Sequence, residues 1–262
     1  MNAEHETLVR RYVESIQWIR EILLSMDKYA KPIMGVGDWD DSVCIKFGTK
    51  KLLLSADGPY TKRLVLKSAL LHASTDVIVK GGRPLFALDT VIGSREDIEE
   101  MILSLRCQAE EMRIPLLGGN TLFEDTKPRC SLTVAGELIL KKPLRDCGAK
   151  KGDVIALLGE PLWGSQDERL EKARTLFNTW YSALGNVKIN SAKDVTKGGL
   201  VSAVYEMEQK SERRFQLEDK LPYSLTRNLD NFLLTLPQKE YAKLKKTSAK
   251  NKCALHKIGA VK

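Results

Sequence analysis

The sequence predicts an α+β protein built in two parts, and three observations carry that expectation. Short apolar runs of strand length alternate with stretches of helical period along most of the 262 residues. Both kinds of segment occur on each side of a Lys-, Pro- and Gly-rich stretch, "KKPLRDCGAKKGD". No internal repeat or low-complexity tract points to a solenoid or a disordered chain. The expected boundary lies near residue 143, giving parts 1–142 and 143–262.

Residues 7–26, "TLVRRYVESIQWIREILLSM", place Val9, Tyr12, Val13, Ile16, Ile19, Leu23 and Met26 at helical spacing, so one amphipathic helix is expected. "SVCIKF" and "KLLLSAD" read as strands joined through "GTK", a hairpin. A helix over 63–80, the strand "RPLFALDTVIG" and a long helix over 95–113 follow. "IPLLGGNT" reads as a strand running into a Gly-rich turn, and "RCSLTVAGEL" closes the first part. In the second part "DVIALLG" is a strand and 166–184 a helix, and "DVTKGGLVSAVYEMEQ" enters another helix. The strand "DNFLLTLP", the helix "QKEYAKLKKTSAK" and the strand "ALHKIGAVK" complete the pattern.

Composition narrows the function classes. Hydrophobic residues make up 43% and charged residues 29%, an ordinary globular balance. No apolar run approaches the roughly 18 residues of a membrane span, and Met1 to Arg20 lack an apolar signal core, so a cytoplasmic protein without a membrane partner is expected. Cys44, Cys107, Cys130, Cys147 and Cys253 are scattered without zinc-ligand spacing, which reads as reduced thiols. The net charge of +8 suits any anionic ligand. Lys243, Lys245, Lys246, Lys250, Lys252 and Lys257 crowd the end with Tyr241 as the one aromatic among them. That pattern is a solvated helix face better than a nucleic-acid surface.

Four stretches could carry chemistry. In "GVGDWDDSVCIKFGTKKLLLSADGP", Asp38, Asp40, Asp41 and Asp57 stand at the ends of the two hairpin strands. Asp40 and Asp41 could meet Asp57 at one hairpin edge, where carboxylates repel unless a hard cation such as Mg2+ sits between them; the alternative is turn formers or a helix cap. In "STDVIVKGGRP", Gly81-Gly82 ends a helix and Asp76 is either an exposed helical acid or part of a site. In "LLGGNT", Gly118 and Gly119 let a backbone approach a ligand, and Asn120 and Thr121 offer oxygens. In "KDVTKGGL", Asp194 or Thr196 could cap a helix whose first turn holds Gly198 and Gly199; such an N-terminus favours phosphate and Lys197 adds charge, the alternative being a capped helix without a ligand.

Taken in order these stretches resemble the aminoimidazole ribonucleotide synthetase-like ATP-binding superfamily, from about Gly35 to the end. "WDDSV" is similar to its GDDAAV, "LLLSADG" to its strand ending in Thr-Asp-Gly, and "STDVIVKGGRPLFALDT" to NDIAAMGGRPLAALDT. "LLGGNT" is similar to GGDT, and "KDVTKGGLVSAVYEM" to HDVTDGGLAGALLEM. The resemblance implies an N-terminal α+β domain whose mixed sheet pairs into a dimeric barrel, and a C-terminal α+β domain beside it. It implies ATP in a cleft, its phosphates held by Mg2+, and transfer of phosphate to a small acceptor. By position it makes Asp40, Asp41, Asp57 and Asp76 metal ligands, with Asp194 joining from the second part. Gly118, Gly119, Asn120, Thr121, Lys197, Gly198 and Gly199 would line the nucleotide. Asn120 stands where Asp is usual, Thr75 where Asn is usual, Lys197 where Asp is common, and Trp39-Asp40 reads as a small insertion. The expected function is a Mg2+-dependent, ATP-binding homodimeric enzyme acting on a small metabolite. The alternatives are a non-catalytic nucleotide-binding relative or, third, a basic nucleic-acid binder.

Overall fold

The computed structural model describes residues 1–262 and contains two five-stranded sheets. The first is mixed, in the order β1 (Val43–Phe47), β2 (Lys50–Thr61), β5 (Arg129–Leu138), β3 (Gly82–Gly93), β4 (Leu116–Phe123). All neighbours are antiparallel except β3 and β4, which run parallel. The hairpin β1–β2 forms as expected, with Val43 opposite Leu54 and Phe47 opposite Lys50. The second sheet is antiparallel throughout, in the order β7 (Ser191–Asp194), β9 (Phe232–Leu236), β6 (Val154–Leu158), β10 (Leu255–Val261), β8 (Phe215–Leu217).

Alternation along the strands decides which face of the first sheet is covered. Leu53, Ala87, Val91, Leu132 and Val134 are buried against α4 (Lys62–Val79) and α5 (Arg95–Met112). The opposite face carries Val43, Phe47, Leu88 and Thr133 and has no helix over it. This sheet does not close on itself. The second sheet is covered on both faces. Helices α6 (Gln166–Ala183) and α8 (Gln238–Lys250) pack on Val154, Ala156 and Leu234, while α7 (Gly199–Ser211) packs on Ile155, Leu157 and Leu233. Burial on both sides explains why β6 and β9 are continuous apolar runs rather than alternating ones. The lysines of α8 are exposed around a buried Leu244, the solvated face read from the sequence.

Helix α4 belongs to two cores. Val65, Ala69, Ala73 and Val77 face the first sheet, while Leu71, Ile78 and Val79 join the core of the second. Trp180, fully buried on α6, donates from Nε1 to the carbonyl of Ile78 at 2.7 Å and stacks edge-on to Phe232.

The structure corrects several expectations. The single helix expected over 7–26 is broken into α1 (Ala3–Tyr12), α2 (Gln17–Leu23) and α3 (Asp27–Ala30) linked by 3-10 turns. Only Val9 and Val13 of its apolar stripe are buried, so nothing holds the periodicity beyond Val13 against a core. Gly118 and Gly119 lie inside β4 rather than in a turn after it. Strands β7 and β8, four and three residues long, were not expected, because "SAKD" and "FQL" are too short to show alternation.

Replacing Trp180 with Ala removes a filled volume and a buried hydrogen bond that tie α6 to α4. We expect a loss of about 3–5 kcal/mol, read as a lower urea midpoint.

Candidate functional site

Two polar clusters flank α4, and the sequence-predicted acids divide between them. The first gathers around Asp57, Asp76 and Asp194. Asp57, on β2, accepts from the hydroxyl of Tyr60 at 2.6 Å and lies 3.4 Å from Nε2 of His72. His72 Nδ1 sits 2.6 Å from Asp230 in the loop before β9, so the imidazole bridges the two sheets. One helical turn further on α4, Asp76 accepts from Ser55 at 2.6 Å. Thr75 donates to Oδ2 of Asp194 at 2.7 Å, while Oδ1 of Asp194 is buried with no hydrogen-bond partner.

Charge in this cluster is in excess on the acidic side. Burial and the charges of Asp194, Asp57 and Asp41 push the Asp76 carboxyl well above its ordinary range. Burial and the charge of Asp41 push Asp194 up to about 7. Burial disfavours the imidazolium of His72, but the carboxylates of Asp230, Asp57 and Asp194 overcome it and raise its pKa to about 10. One imidazolium therefore faces four carboxyl groups. No three His, Cys, Asp or Glu side chains stand together as a ready metal cage.

The second cluster holds Asp40 and Asp41, apart from Asp57. Lys80 at the end of α4, Lys193 on β7 and Lys210 on α7 converge on Asp146 and the acidic turn. Lys193 binds Oδ1 of Asp41, Lys80 lies 3.0 Å from its Oδ2, and Lys210 lies 3.5 Å from Asp40. Asp146, fully buried, is met by Lys80, by Lys210 at 2.7 Å and by Lys193 at 3.4 Å. Arg145 pairs with Asp38, and Glu206 lies 3.4 Å from Lys193. Burial works against the Asp146 carboxylate, but Lys193, Lys210 and Lys80 hold its pKa well below the usual range. Burial and Asp146 push Asp40 up to about 6.

The glycine motifs separate as well. A cleft of about 490 Å3, lined by Gly58, Leu88, Thr90, Gly119, Asn120 and Thr133, opens on the uncovered face of the first sheet; Asp57 borders it, but Asp76 and Asp194 do not. Gly119 is required there, because a Cβ would collide with the backbone of Asp89 on β3. Gly118 and Thr121 are exposed on β4 and do not line this cleft. At α7 the N-cap is Gly198, without a side-chain cap, and neither Asp194 nor Thr196 caps the helix. Gly199 packs on the 225–227 backbone, where a Cβ would lie 2.6 Å from the Leu225 carbonyl, and Val201 N–H already donates to that oxygen at 3.0 Å. Tyr12 of α1 stands beside Gly198, and Lys197 is exposed. A cavity of about 670 Å3 between α5 and α6 touches none of these residues.

Comparison with known proteins fits this arrangement. The model of "AIR synthase related protein, N-terminal domain" matches residues 39–138. An uncharacterised protein of Methanocaldococcus jannaschii is 36% identical over 232 residues, covering 87% of this chain and 77% of its own. The chain belongs to the AIR synthase-related family. A selenide, water dikinase of Myxococcus xanthus is 31% identical over 176 residues, spanning 59% of this chain and 49% of that one. PurL of T. maritima, solved in complex with ATP, shares the fold with a TM-score of 0.68 at 15% identity, over 89% of this chain and 44% of that one.

Within this AIR synthase-related chain, sequence reasoning missed His72, Asp230, Lys80, Asp146 and Lys210. His72 had one local signal, its position four residues before Asp76 on the same helix. The rest depend on contacts across 64 to 170 residues.

Asp146→Asn leaves two buried ammonium groups and the half-buried Lys210 short of a counter-charge, and we expect a loss of about 3–5 kcal/mol at pH 7. Because the folded pKa of Asp146 is depressed, its contribution is present above the unfolded value of about 3.9 and is lost as pH falls further. The gap between wild type and variant, measured by urea unfolding, should hold from pH 7 down to about 4 and narrow below it.

Proposed function

We propose that the chain is a Mg2+-dependent, ATP-binding enzyme that phosphorylates or activates a small metabolite. The observation that carries this reading is the excess of negative charge gathered at Asp57, Asp76 and Asp194 on the α4 side of the first sheet. The donor set suits a hard divalent cation: it is all oxygen, it repels itself, and Asp194 Oδ1 has no partner. Mg2+ takes one or two carboxylates and completes its shell with water and phosphate oxygens, so a preformed cage is not needed. Asp57 and Asp76, with Asp194, would hold the ion, which would neutralise phosphate charge. His72 would keep Asp57 oriented, with Asp230 fixing the imidazole from behind. The ATP complex of PurL and the dikinase activity named for the Myxococcus relative support nucleotide as the ligand. The acceptor is a small molecule whose identity awaits a substrate screen.

The reading extends to a homodimer. The uncovered face of the first sheet exposes Val43, Phe47 and Leu88, and a second copy of that face would bury them.

Isothermal titration with a non-hydrolysable ATP analogue should show binding with Mg2+ and little without it. Asp57→Asn and Asp76→Asn should each weaken it ~10-fold or more. Absence of binding at millimolar Mg2+ would overturn the reading in favour of a chain that has lost its nucleotide. By light scattering the particle should have twice the 29.4 kDa chain mass, and Leu88→Glu should return it to one chain.

A further inference from the structure

We propose that the acidic turn of this chain is not a metal position: the buried lysines Lys80 and Lys193, with the half-buried Lys210, supply its positive charge, and divalent metal is confined to Asp57, Asp76 and Asp194. The assignment deepens the nucleotide–metal reading and rests on it for the second half of the statement.

The two clusters differ in how their carboxylates are matched. Around the turn, Lys80, Lys193, Lys210 and Arg145 stand against Asp38, Asp40, Asp41, Asp146 and Glu206. Both oxygens of Asp41 face ammonium groups, Lys193 at Oδ1 and Lys80 at Oδ2. Both oxygens of Asp146 do so too. Oδ1 of Asp40 accepts from the Asp146 N–H at 3.2 Å and faces Lys210, while Oδ2 faces Arg145 at 3.6 Å. A divalent ion entering here would have to displace an ammonium from each carboxylate. The expelled charge would have nowhere to go, since Lys80 is wholly buried and Lys193 nearly so. Oδ2 of Asp40 and Oδ2 of Asp41 lack a hydrogen bond, as Oδ1 of Asp194 does, but each of the two has a cation within 4 Å; the buried Asp194 carboxyl forms no ion pair.

The lysines come from three elements, the end of α4, β7 and α7, and the acids from the turn before β1 and the connector after β5. Lys193 directly precedes Asp194 on β7, in alternation, so one strand gives an ammonium to one cluster and a carboxylate to the other. That alternation places the boundary between lysine-neutralised and metal-neutralised acid between adjacent residues.

The test uses the full chain and Mn2+ as the probe, with and without a non-hydrolysable ATP analogue. In EDTA, Asp41→Asn should lower the thermal midpoint, because it strands Lys193 and Lys80. If the turn were instead a metal position left empty by EDTA, the same change would relieve repulsion and raise the midpoint, overturning the proposal. Should Asp41→Asn not fold, Lys210→Met, at the rim, serves for the EDTA arm: a lower midpoint supports the assignment and a higher one overturns it. By electron paramagnetic resonance, Mn2+ affinity should stay within ~2-fold of wild type in Asp41→Asn or, failing that variant, Asp40→Asn, and fall ~10-fold in Asp57→Asn. Equal losses at the turn and at Asp57 would overturn the proposal. No Mn2+ binding by wild type would overturn the nucleotide–metal reading and the confinement of metal with it, while the EDTA arm alone would decide the lysine assignment.

Discussion

Helix α4 is the element that both halves of the molecule must bury, and it carries polar side chains where such a helix would ordinarily be apolar all round. His72, Ser74, Thr75 and Lys80 are all buried on it. Each is matched: His72 by Asp230, Ser74 by the Leu70 carbonyl, Thr75 by Asp194, and Lys80 by Asp146 and the Ala192 carbonyl. A buried polar group without a partner costs about 1–3 kcal/mol, and a charge costs more, so these matches fix how α4 is set between the sheets. Three of them reach residues of the second sheet or its loops. The position of the site is thereby tied to the packing of the whole chain.

Much of the architecture was legible because it is local. The hairpin followed from two apolar runs and a Gly-containing turn, and α5 was expected over 95–113, where the structure starts it with a Ser94 cap that accepts from Asp97 N–H at 3.1 Å. What failed was where local pattern and tertiary burial part company. The apolar stripe of residues 7–26 is real, yet its members Ile16, Leu23 and Met26 stay exposed, and the helix breaks. Within the site, Asp57 and Asp76 were placed by motif, and the structure brings both to α4. Asp40 and Asp41 were grouped with them because strand ends in a hairpin converge. The register shows the limit of that argument: β1 starts opposite Leu54, three residues short of Asp57, and the turn swings toward the lysines instead.

The Gly-Gly motifs teach the same lesson in backbone terms. Both are needed for close approach, but to different things. Gly119 clears the Asp89 backbone inside a parallel strand pair, whereas Gly199, at φ +67°, clears the 225–227 segment. A crowded Cβ explains both glycines without a ligand, and at Gly199 a positive φ adds to it. The argument for a nucleotide therefore cannot stand on glycines and falls to the carboxylates.

Those carboxylates make a demand of their own. The lysine-paired cluster is nearly balanced in charge, although Asp40 Oδ2 and Asp41 Oδ2 have no hydrogen-bond partner. The other is not, since one imidazolium cannot offset Asp57, Asp76, Asp194 and Asp230. Left alone, such a cluster relaxes by taking up protons, which is why Asp194 is pushed up to about 7. A protonated, self-repelling set destabilises the fold that carries it, and replacing these acids with apolar residues of similar volume would relieve that cost. A cation bound together with an anionic ligand would remove the repulsion and restore the carboxylate form. Strain stored in unbalanced charge is the physical ground for expecting a ligand there.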